Sequence, residues 1–315
     1  MAKFILKRIL WFLPVFFAVS LLVYIFLDLA PGNELDMLGT DLSEEQLAEL
    51  YHERGYDRSV FYRYYLYMKK MLRGDLGRSS VYGEPVLQLY LQRLPATLAL
   101  AGTAVLFSVL VSVPLGILSA ARQNRAADRA IRVGTVLGLA MPNFWLGVLL
   151  LLLFSHKWGL LPSGGNLQGV RSLILPALTL GSGLTAALVR TTRGSMLEVM
   201  GTDYLKTARA KGLPRMAVLC KHAFKNALIP VLTVLGSQLG AVMGGAAVTE
   251  SVFSWPGTGR LLVDALKERD AALAAGCLLM TALMISLVQL AVDLLYGAVN
   301  PKLRSRRGGE GGSRE

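Results

Sequence analysis

The apolar runs of this chain constrain its fold more than any other feature, because each is about as long as a lipid bilayer is thick. A segment that crosses hydrocarbon must satisfy its own backbone N–H and C=O groups, which a helix of roughly 20 residues does. Only 17% of the residues are charged, whereas soluble domains carry about 25%. We therefore predict an all-α, polytopic membrane protein with six transmembrane helices, at 9–28, 97–120, 133–155, 173–192, 229–250 and 273–298.

The first apolar run raises the question of a signal peptide. It follows Lys3, Lys7 and Arg8, as a secretory signal would. Its apolar stretch, 9–29, is longer than a signal core, and no A-x-A cleavage site follows it. We therefore predict an uncleaved membrane helix.

Basic residues are concentrated in alternate loops. The 121–132 loop, the 190–228 segment and the tail after 301 are rich in arginine and lysine, while the opposite short loops are not. An excess of these residues marks the cytoplasmic side of a membrane. Six spans place all three segments and both termini on that side. The net charge of +12 follows from this pattern, and we find no nucleic-acid-binding motif.

The segment 29–95 is predicted to lie outside the membrane as an external cap. Ser43 and Gln46 form a capping box, in which the serine hydroxyl satisfies a free N–H at the start of a helix. We expect that helix over about 44–54, followed by an aromatic-rich helix over 58–72.

The segment 193–228 is predicted to lie in the cytoplasm. It is polar, basic and helical in character, with Gly201 and Gly212 as interruptions. Pro230 is expected to reset the chain direction before the fifth span. Residues 1–303 are interpreted as a single transmembrane domain, and the Gly- and Arg-rich tail at 304–315 is predicted to be disordered.

Glycines recur at about four-residue spacing in the fifth span, which places them on one face of a helix. Close packing within the chain and a pore-lining or subunit-contact face are both compatible with this spacing. The glycines are Gly236, Gly240, Gly244 and Gly245.

Two stretches of the cytoplasmic segment, 203–212 and 222–230, resemble the ATPase-docking loop of binding-protein-dependent importer permeases. The chain as a whole is similar to the dipeptide, oligopeptide and nickel branch of that family. Further matches follow in the family's order: Gly74–Gly77 with Ser79, Leu94–Thr97, Ser112–Gly116, Met141–Trp145, Leu161–Pro162, Leu175–Pro176, Phe253–Gly257 with Gly259, Arg269–Asp270, Asp293 and Asn300–Pro301.

The resemblance implies the type I fold of ATP-binding cassette (ABC) importer permeases and a set of partners. These are a second homologous permease subunit, two ATPase subunits that bind ATP and Mg²⁺, and an extracytoplasmic substrate-binding protein. The chain itself would bind no cofactor or metal and would lack catalytic residues. The residues expected in the docking loop are Asp203, Tyr204, Thr207, Ala208, Arg209, Ala210, Lys211, Gly212, His222, Asn226 and Pro230. His222 is either a hydrogen-bonding brace for this loop or a solvated or locally paired histidine.

A second candidate site lies between the fifth and sixth spans, on the predicted outer side. It is either a loop that dips toward the mouth of the pore or an interfacial loop with a tryptophan anchor. Its residues are Glu250, Phe253, Trp255, Pro256, Gly257 and Gly259.

The family resemblance implies import across the plasma membrane of a bacterium or archaeon, but it leaves the cargo open. We favour di- or oligopeptides over nickel, because none of the three histidines is placed to build a metal-binding pore. An ion-driven secondary carrier would need inverted repeats and charges near the bilayer midplane, and neither is evident. A membrane enzyme is disfavoured because no catalytic constellation is present.

Overall fold

The computed structural model describes residues 58–210 and 212–299, together with residue 52 and parts of 10–25. In this part of the chain the regular structure is helical, and β-pairing is limited to an isolated bridge between Arg78 and Pro85. These observations confirm the all-α prediction. The α-helices are α1 Val60–Met71, α2 Val86–Ala121, α3 Ala126–Ala140, α4 Asn143–Leu150, α5 Val170–Met200, α6 Asp203–Ala210, α7 Arg215–Ala217, α8 Phe224–Val252, α9 Thr258–Lys267 and α10 Ala271–Val299. Two π-helices occupy Leu151–Lys157 and Val218–Ala223.

Four described helices are long and apolar enough to cross a membrane, and they coincide with four of the predicted spans. They are Val86–Ala121, Val170–Met200, Val218–Val252 and Ala271–Val292. The first predicted span, 9–28, is described only in part, and its described positions, between 10 and 25, are helical. The total of six spans and the cytoplasmic location of both termini therefore stay predictions.

The helix predicted without interruption over 133–155 is broken. Its two parts are α3 and the segment Asn143–Lys157, which comprises α4 and the π-helix after it. They meet at an angle of 108°, and together they would make a fifth, bent span. The break falls at Met141, which has extended backbone angles (φ −80°, ψ 125°). Because Pro142 follows, steric clash with the proline ring disfavours the helical conformation for Met141.

Pro230 does not redirect the chain, and this prediction was wrong. It lies inside α8, which runs without interruption from Phe224 to Val252. Proline leaves the carbonyl group four residues earlier without a helical N–H partner, but transmembrane helices tolerate this loss. The change from π-helical to α-helical structure comes earlier, at Phe224.

The other predicted helix boundaries agree only in part with those of the structure. The aromatic-rich helix expected over 58–72 is confirmed as α1. The fourth span continues as a helix to Met200, beyond its predicted end at 192. The capping box at 43–46 and the tail at 304–315 lie outside the described residues, as does the 44–54 helix apart from residue 52.

The contacts divide the chain into two compact units, each with its own apolar core. Unit 1 is Met1–Thr97 with Pro256–Leu287, and unit 2 is Leu98–Trp255 with Val288–Glu315. In unit 2, α5 packs against α3, α4 and α8, so it is the central helix of that unit. The core of unit 1 comprises Leu76, Val86, Leu89, Tyr90, Leu261, Ala265, Leu273, Ala274 and Cys277.

Candidate functional site

The helix α6 lies within the segment 193–228, which was predicted to be cytoplasmic, and it is bounded by two glycines. Gly201 ends α5, and Gly212 follows α6 with a φ of +76°. Side chains other than glycine rarely adopt this left-handed conformation, so Gly212 suits the turn that ends the helix. Asp203 in the first turn favours the helix start, because a carboxylate there interacts with the positive end of the helix dipole.

One residue of α6 fixes this helix to the rest of unit 2. Leu205 is fully buried. It belongs to an apolar cluster, which we call the anchor cluster, formed by Ala120, Met196, Leu205, Val218, Leu219, Ala223 and Ala227. These residues come from the ends of α2 and α5, from α6, from the π-helix Val218–Ala223 and from α8. The position of α6 is therefore tied to two long helices that precede it and one that follows it.

The rest of α6 is accessible where its side chains are described. Tyr204 is 43% exposed, and Asp203, Ala210 and Gly212 are exposed as well. The predicted docking residues Thr207, Ala208, Arg209 and Lys211 have no described side chains. A short helix held on one side and open on the other can receive a partner without losing its own packing.

A hydrogen bond joins α6 to α8. The amide Nδ2 of Asn226 donates to the hydroxyl oxygen of Tyr204 at 2.6 Å. The sequence pointed to His222 for such a brace, but the described residues provide no hydrogen bond to its half-buried side chain. Asn226 therefore makes the contact that was expected of His222, and Pro230 is exposed one turn further along.

Leu205 was missing from the predicted docking residues. It is apolar in a helix whose other residues are mostly polar or small, and this contrast was the available signal. The bond between Tyr204 and Asn226 links two residues that were both predicted, but no pattern in the sequence paired them.

Three of the predicted outer residues lie at the end of α8 in unit 2. Glu250, Phe253 and Trp255 are all buried. The Trp255 N–H donates to the Glu250 carbonyl at 2.8 Å, and the Phe253 carbonyl accepts from the N–H of Gly165 at 2.9 Å. Gly164 approaches the same carbonyl so closely that a Cβ there would lie 2.5 Å from the oxygen. The turn is thus enclosed by a loop of its own unit.

The other three outer residues, in unit 1, precede or begin α9. Gly257 is the N-cap residue, Gly259 is buried and Pro256 is half-buried. The N–H of Thr258 donates to the hydroxyl of Thr97 at 2.8 Å, which satisfies a donor at the helix start. The role of all six residues at a pore mouth stays a prediction.

Comparison with protein families covers almost the whole chain. The family described as "Binding-protein-dependent transport system inner membrane component" matches residues 112–305. The family described as its N-terminal membrane component matches residues 1–101. Both candidate sites lie within these ranges.

Characterised relatives match over nearly their full length. The dipeptide transport system permease protein DppB of Escherichia coli (strain K12) is 38% identical, over 98% of this chain and 100% of the relative. The glutathione transport system permease protein GsiC of the same strain is 38% identical, over 96% of this chain and 99% of the relative.

A solved structure supports the fold. The MetNI methionine ABC transporter in an inward-facing conformation contains a chain that superimposes with a TM-score of 0.58 at 20% identity. The match covers 68% of this chain and 97% of that one, in agreement with the predicted ABC importer permease fold. The family matches, the two full-length relatives and the shared fold together show that the chain belongs to the binding-protein-dependent transport system inner membrane component family.

Proposed function

We propose that this chain is one of two permease subunits of an ATP-driven importer of di- or oligopeptides. An extracytoplasmic binding protein would deliver the peptide, and the importer would lie in the plasma membrane of a bacterium or archaeon. The observation that carries this proposal is the full-length similarity to two permeases named for dipeptide and for glutathione, itself a tripeptide. Both named cargoes are small peptides, so the relatives favour peptides over nickel.

The segment 193–228 is proposed as the docking site for an ATPase subunit. The burial of Leu205 supports this role, because a force applied to the exposed side of α6 would reach the anchor cluster directly. ATP and Mg²⁺ would be bound by the ATPase subunits. The chain belongs to a family of transport components, and it contributes a pathway rather than a catalytic centre.

The remaining assignments follow from the same proposal. Residues 1–303 would form one transmembrane permease domain, with 29–95 as its external cap. The turn around Phe253 and Trp255 would shape the outer mouth of the pathway. Its burial within unit 2 supports a fixed turn rather than a mobile gate.

Co-purification and transport test the proposal together. A tagged chain, expressed with its neighbouring transport genes and gently solubilised, is expected to bring down a second permease and an ATPase. Proteoliposomes of that complex with the binding protein are expected to take up radiolabelled dipeptide when ATP is present. Isolation of the chain without an ATPase would contradict the importer assignment. ATP-dependent uptake of ⁶³Ni²⁺ but not of peptide would contradict the proposal that the cargo is a peptide.

The docking site is tested by Gly212→Asp. The left-handed backbone at Gly212 and the added carboxylate should together disturb the end of α6. We expect loss of peptide-stimulated ATP hydrolysis, with normal insertion into the membrane. Gly83→Asp is the matched control, because Gly83 also has a positive φ, of +67°, and has open space around it. An equal loss of peptide-stimulated ATP hydrolysis in Gly212→Asp and Gly83→Asp would contradict a specific role for the segment 193–228.

A further inference from the structure

Asp128 is a fully buried carboxylate in unit 2. It lies in the first turn of α3, and both of its oxygens accept hydrogen bonds from Arg193 of α5. Arg193 Nε donates to Oδ1 at 2.8 Å and Nη2 donates to Oδ2 at 3.0 Å. Such bidentate contacts are among the strongest hydrogen bonds in proteins, and they fix the direction as well as the distance between two elements.

Two further donors connect the same carboxylate to α2 and to the turn that follows it. The hydroxyl of Ser119 donates to Oδ1 at 2.5 Å. The N–H of Asn124, a residue with a φ of 63°, donates to Oδ2 at 2.9 Å. The Nε of Arg132, whose side chain is 50% exposed, lies 3.7 Å from Oδ2 of Asp128 and contributes little to holding the carboxylate in place. Asp128 thus joins α2, the 122–125 turn, α3 and α5 at one point.

This junction adjoins the anchor cluster. Ser119 precedes Ala120, and Arg193 lies one helical turn before Met196; both Ala120 and Met196 are in the cluster with Leu205. Apolar contacts of the anchor cluster thus connect α6 with α2 and α5. The bonds of Asp128 extend the same connection to α3.

Further along, α3 packs on α5 and also borders an open cavity. A cavity of about 360 Å³ lies between α3 and its neighbours, and Ile131, Thr135 and Gly138 of α3 line it together with Phe107 of α2 and Ser182 of α5. On the other side of α3, Val136 is 64% exposed. The polar contacts at the first turn of α3 therefore add a link of fixed direction to the packing that α3 and α5 already share.

We propose that Asp128 and Arg193 are a positioning pair that makes α3 move together with α2, α5 and the docking helix α6. The pair would convert movement of α6 into movement of α3 and of α4, which follows it. The inference rests on the docking role proposed above for 193–228. It assigns to the pair a role in coupling ATP hydrolysis to transport, in addition to any role in stability.

The test variant is the double substitution Asp128→Asn with Arg193→Met. It removes both charges and the bonds between α3 and α5. The amide keeps one acceptor oxygen for the N–H of Asn124, and its Nδ2 can donate to the Ser119 hydroxyl in place of the bond that Ser119 donated. Replacing both members of a buried ion pair avoids a stranded charge, so the protein is expected to fold. Arg193→Lys is the conservative variant, and Arg190→Gln, at an exposed arginine on the same helix, is the control.

Each variant is placed in the complete transporter in proteoliposomes, where peptide uptake per ATP hydrolysed is measured. A photoreactive label on Ala210→Cys, in a Cys220→Ser background, reports docking by its cross-link to the ATPase. We expect the double variant to assemble and cross-link normally, but to transport at least about fivefold less peptide per ATP. Arg193→Lys should transport more peptide per ATP than the double variant but less than the wild type. Arg190→Gln should give the wild-type ratio of uptake to hydrolysis.

Two results would overturn the pairing proposal. One is an unchanged ratio of uptake to hydrolysis in the double variant. The other is a double variant that fails to assemble, which would leave the pair with a structural role alone. If the wild-type chain gives no cross-link from position 210 to an ATPase, the docking proposal itself is wrong.

Discussion

Asp128 and Asp270 are both almost completely buried, but their negative charges are stabilised in different ways. Asp128, in unit 2, faces the guanidinium group of Arg193 on another helix. Asp270, in unit 1, accepts hydrogen bonds only from uncharged groups among the described residues. These are the Ser79 hydroxyl at 2.5 Å, the Val81 N–H at 3.2 Å and the Leu273 N–H at 3.0 Å.

The difference shows two uses of a buried carboxylate. Asp270 immediately precedes α10 and caps it, and through Ser79 and Val81 it holds the turn after the Gly74–Gly77 motif. This is a fixed local structure around a helix end. Asp128 instead joins two long helices through opposite charges, and each charge depends on the other for its stability. The two sites should therefore respond differently to loss of the carboxylate.

The largest effect is expected from Asp128→Ala. It leaves the Arg193 guanidinium without its partner in a mostly buried position, which costs about 3–5 kcal/mol in the free energy of unfolding. Adding Arg193→Met should recover more than half of this loss, because no unpaired charge then remains. Unfolding in sodium dodecyl sulfate, followed by tryptophan fluorescence, measures both variants. Additive losses in the double variant would show that the two residues do not interact energetically.

Asp270→Ala is expected to lower the free energy of unfolding by a smaller amount, about 2–3 kcal/mol. The buried donors of Ser79 and Leu273 lose their acceptor, but no charged group is left without a partner. Asp270→Asn keeps one oxygen and should cost less than half as much. The same unfolding assay compares these variants with Asp128→Ala. If Asp270→Ala proved the more damaging substitution, the distinction between charged and neutral partners would fail.

Close packing at one glycine in each unit gives a third comparison. A Cβ added at Gly116 would lie 2.5 Å from Thr192 Cβ, and one at Gly276 would lie 2.3 Å from Val86 Cγ1. We expect Gly116→Ala and Gly276→Ala each to cost about 1–2 kcal/mol through overpacking. Gly183→Ala in α5 has open space and should be neutral or slightly stabilising. Equal stability of the three variants would show that these contacts relax freely.

The smallest effect is expected at the exposed bond between Asn226 and Tyr204. Asn226→Ala should cost less than about 1 kcal/mol, since water replaces the lost partner. A double-mutant cycle with Tyr204→Phe isolates the contribution of the bond itself, and His222→Ala serves as the comparison. A cost at His222 larger than that at Asn226 would reassign the brace to the histidine.

Much of the membrane architecture could be predicted from the sequence. Four described helices each contain all or nearly all of one predicted span, because apolar length and backbone hydrogen bonding are local properties.

The effects of prolines were harder to predict from the sequence. Pro142 follows the break between α3 and α4, whereas Pro176 and Pro230 lie inside continuous helices. The local preference is the same at all three, so the packing around each helix decides whether the chain bends.

The short helix α6 in the proposed docking segment was predictable as an element, but its contacts were not. The glycines on either side of α6 and its polar character marked a short exposed helix. Burial of Leu205 depends on residues from α2, α5 and α8, which no local pattern brings together. The same holds for the bond from Asn226 to Tyr204, which lie 22 residues apart.

The positions of the long apolar helices and of the basic segments can be read from the amino-acid sequence. Both follow from composition along short stretches, since a bilayer acts on each segment separately. The pairing of charges, by contrast, depends on how the helices pack together. Arg193 was one of many basic residues in a predicted loop, and its partner Asp128 lies 65 residues away. Their attraction depends on contact at about 3 Å, and the folded arrangement of α3 and α5 alone brings the two groups that close.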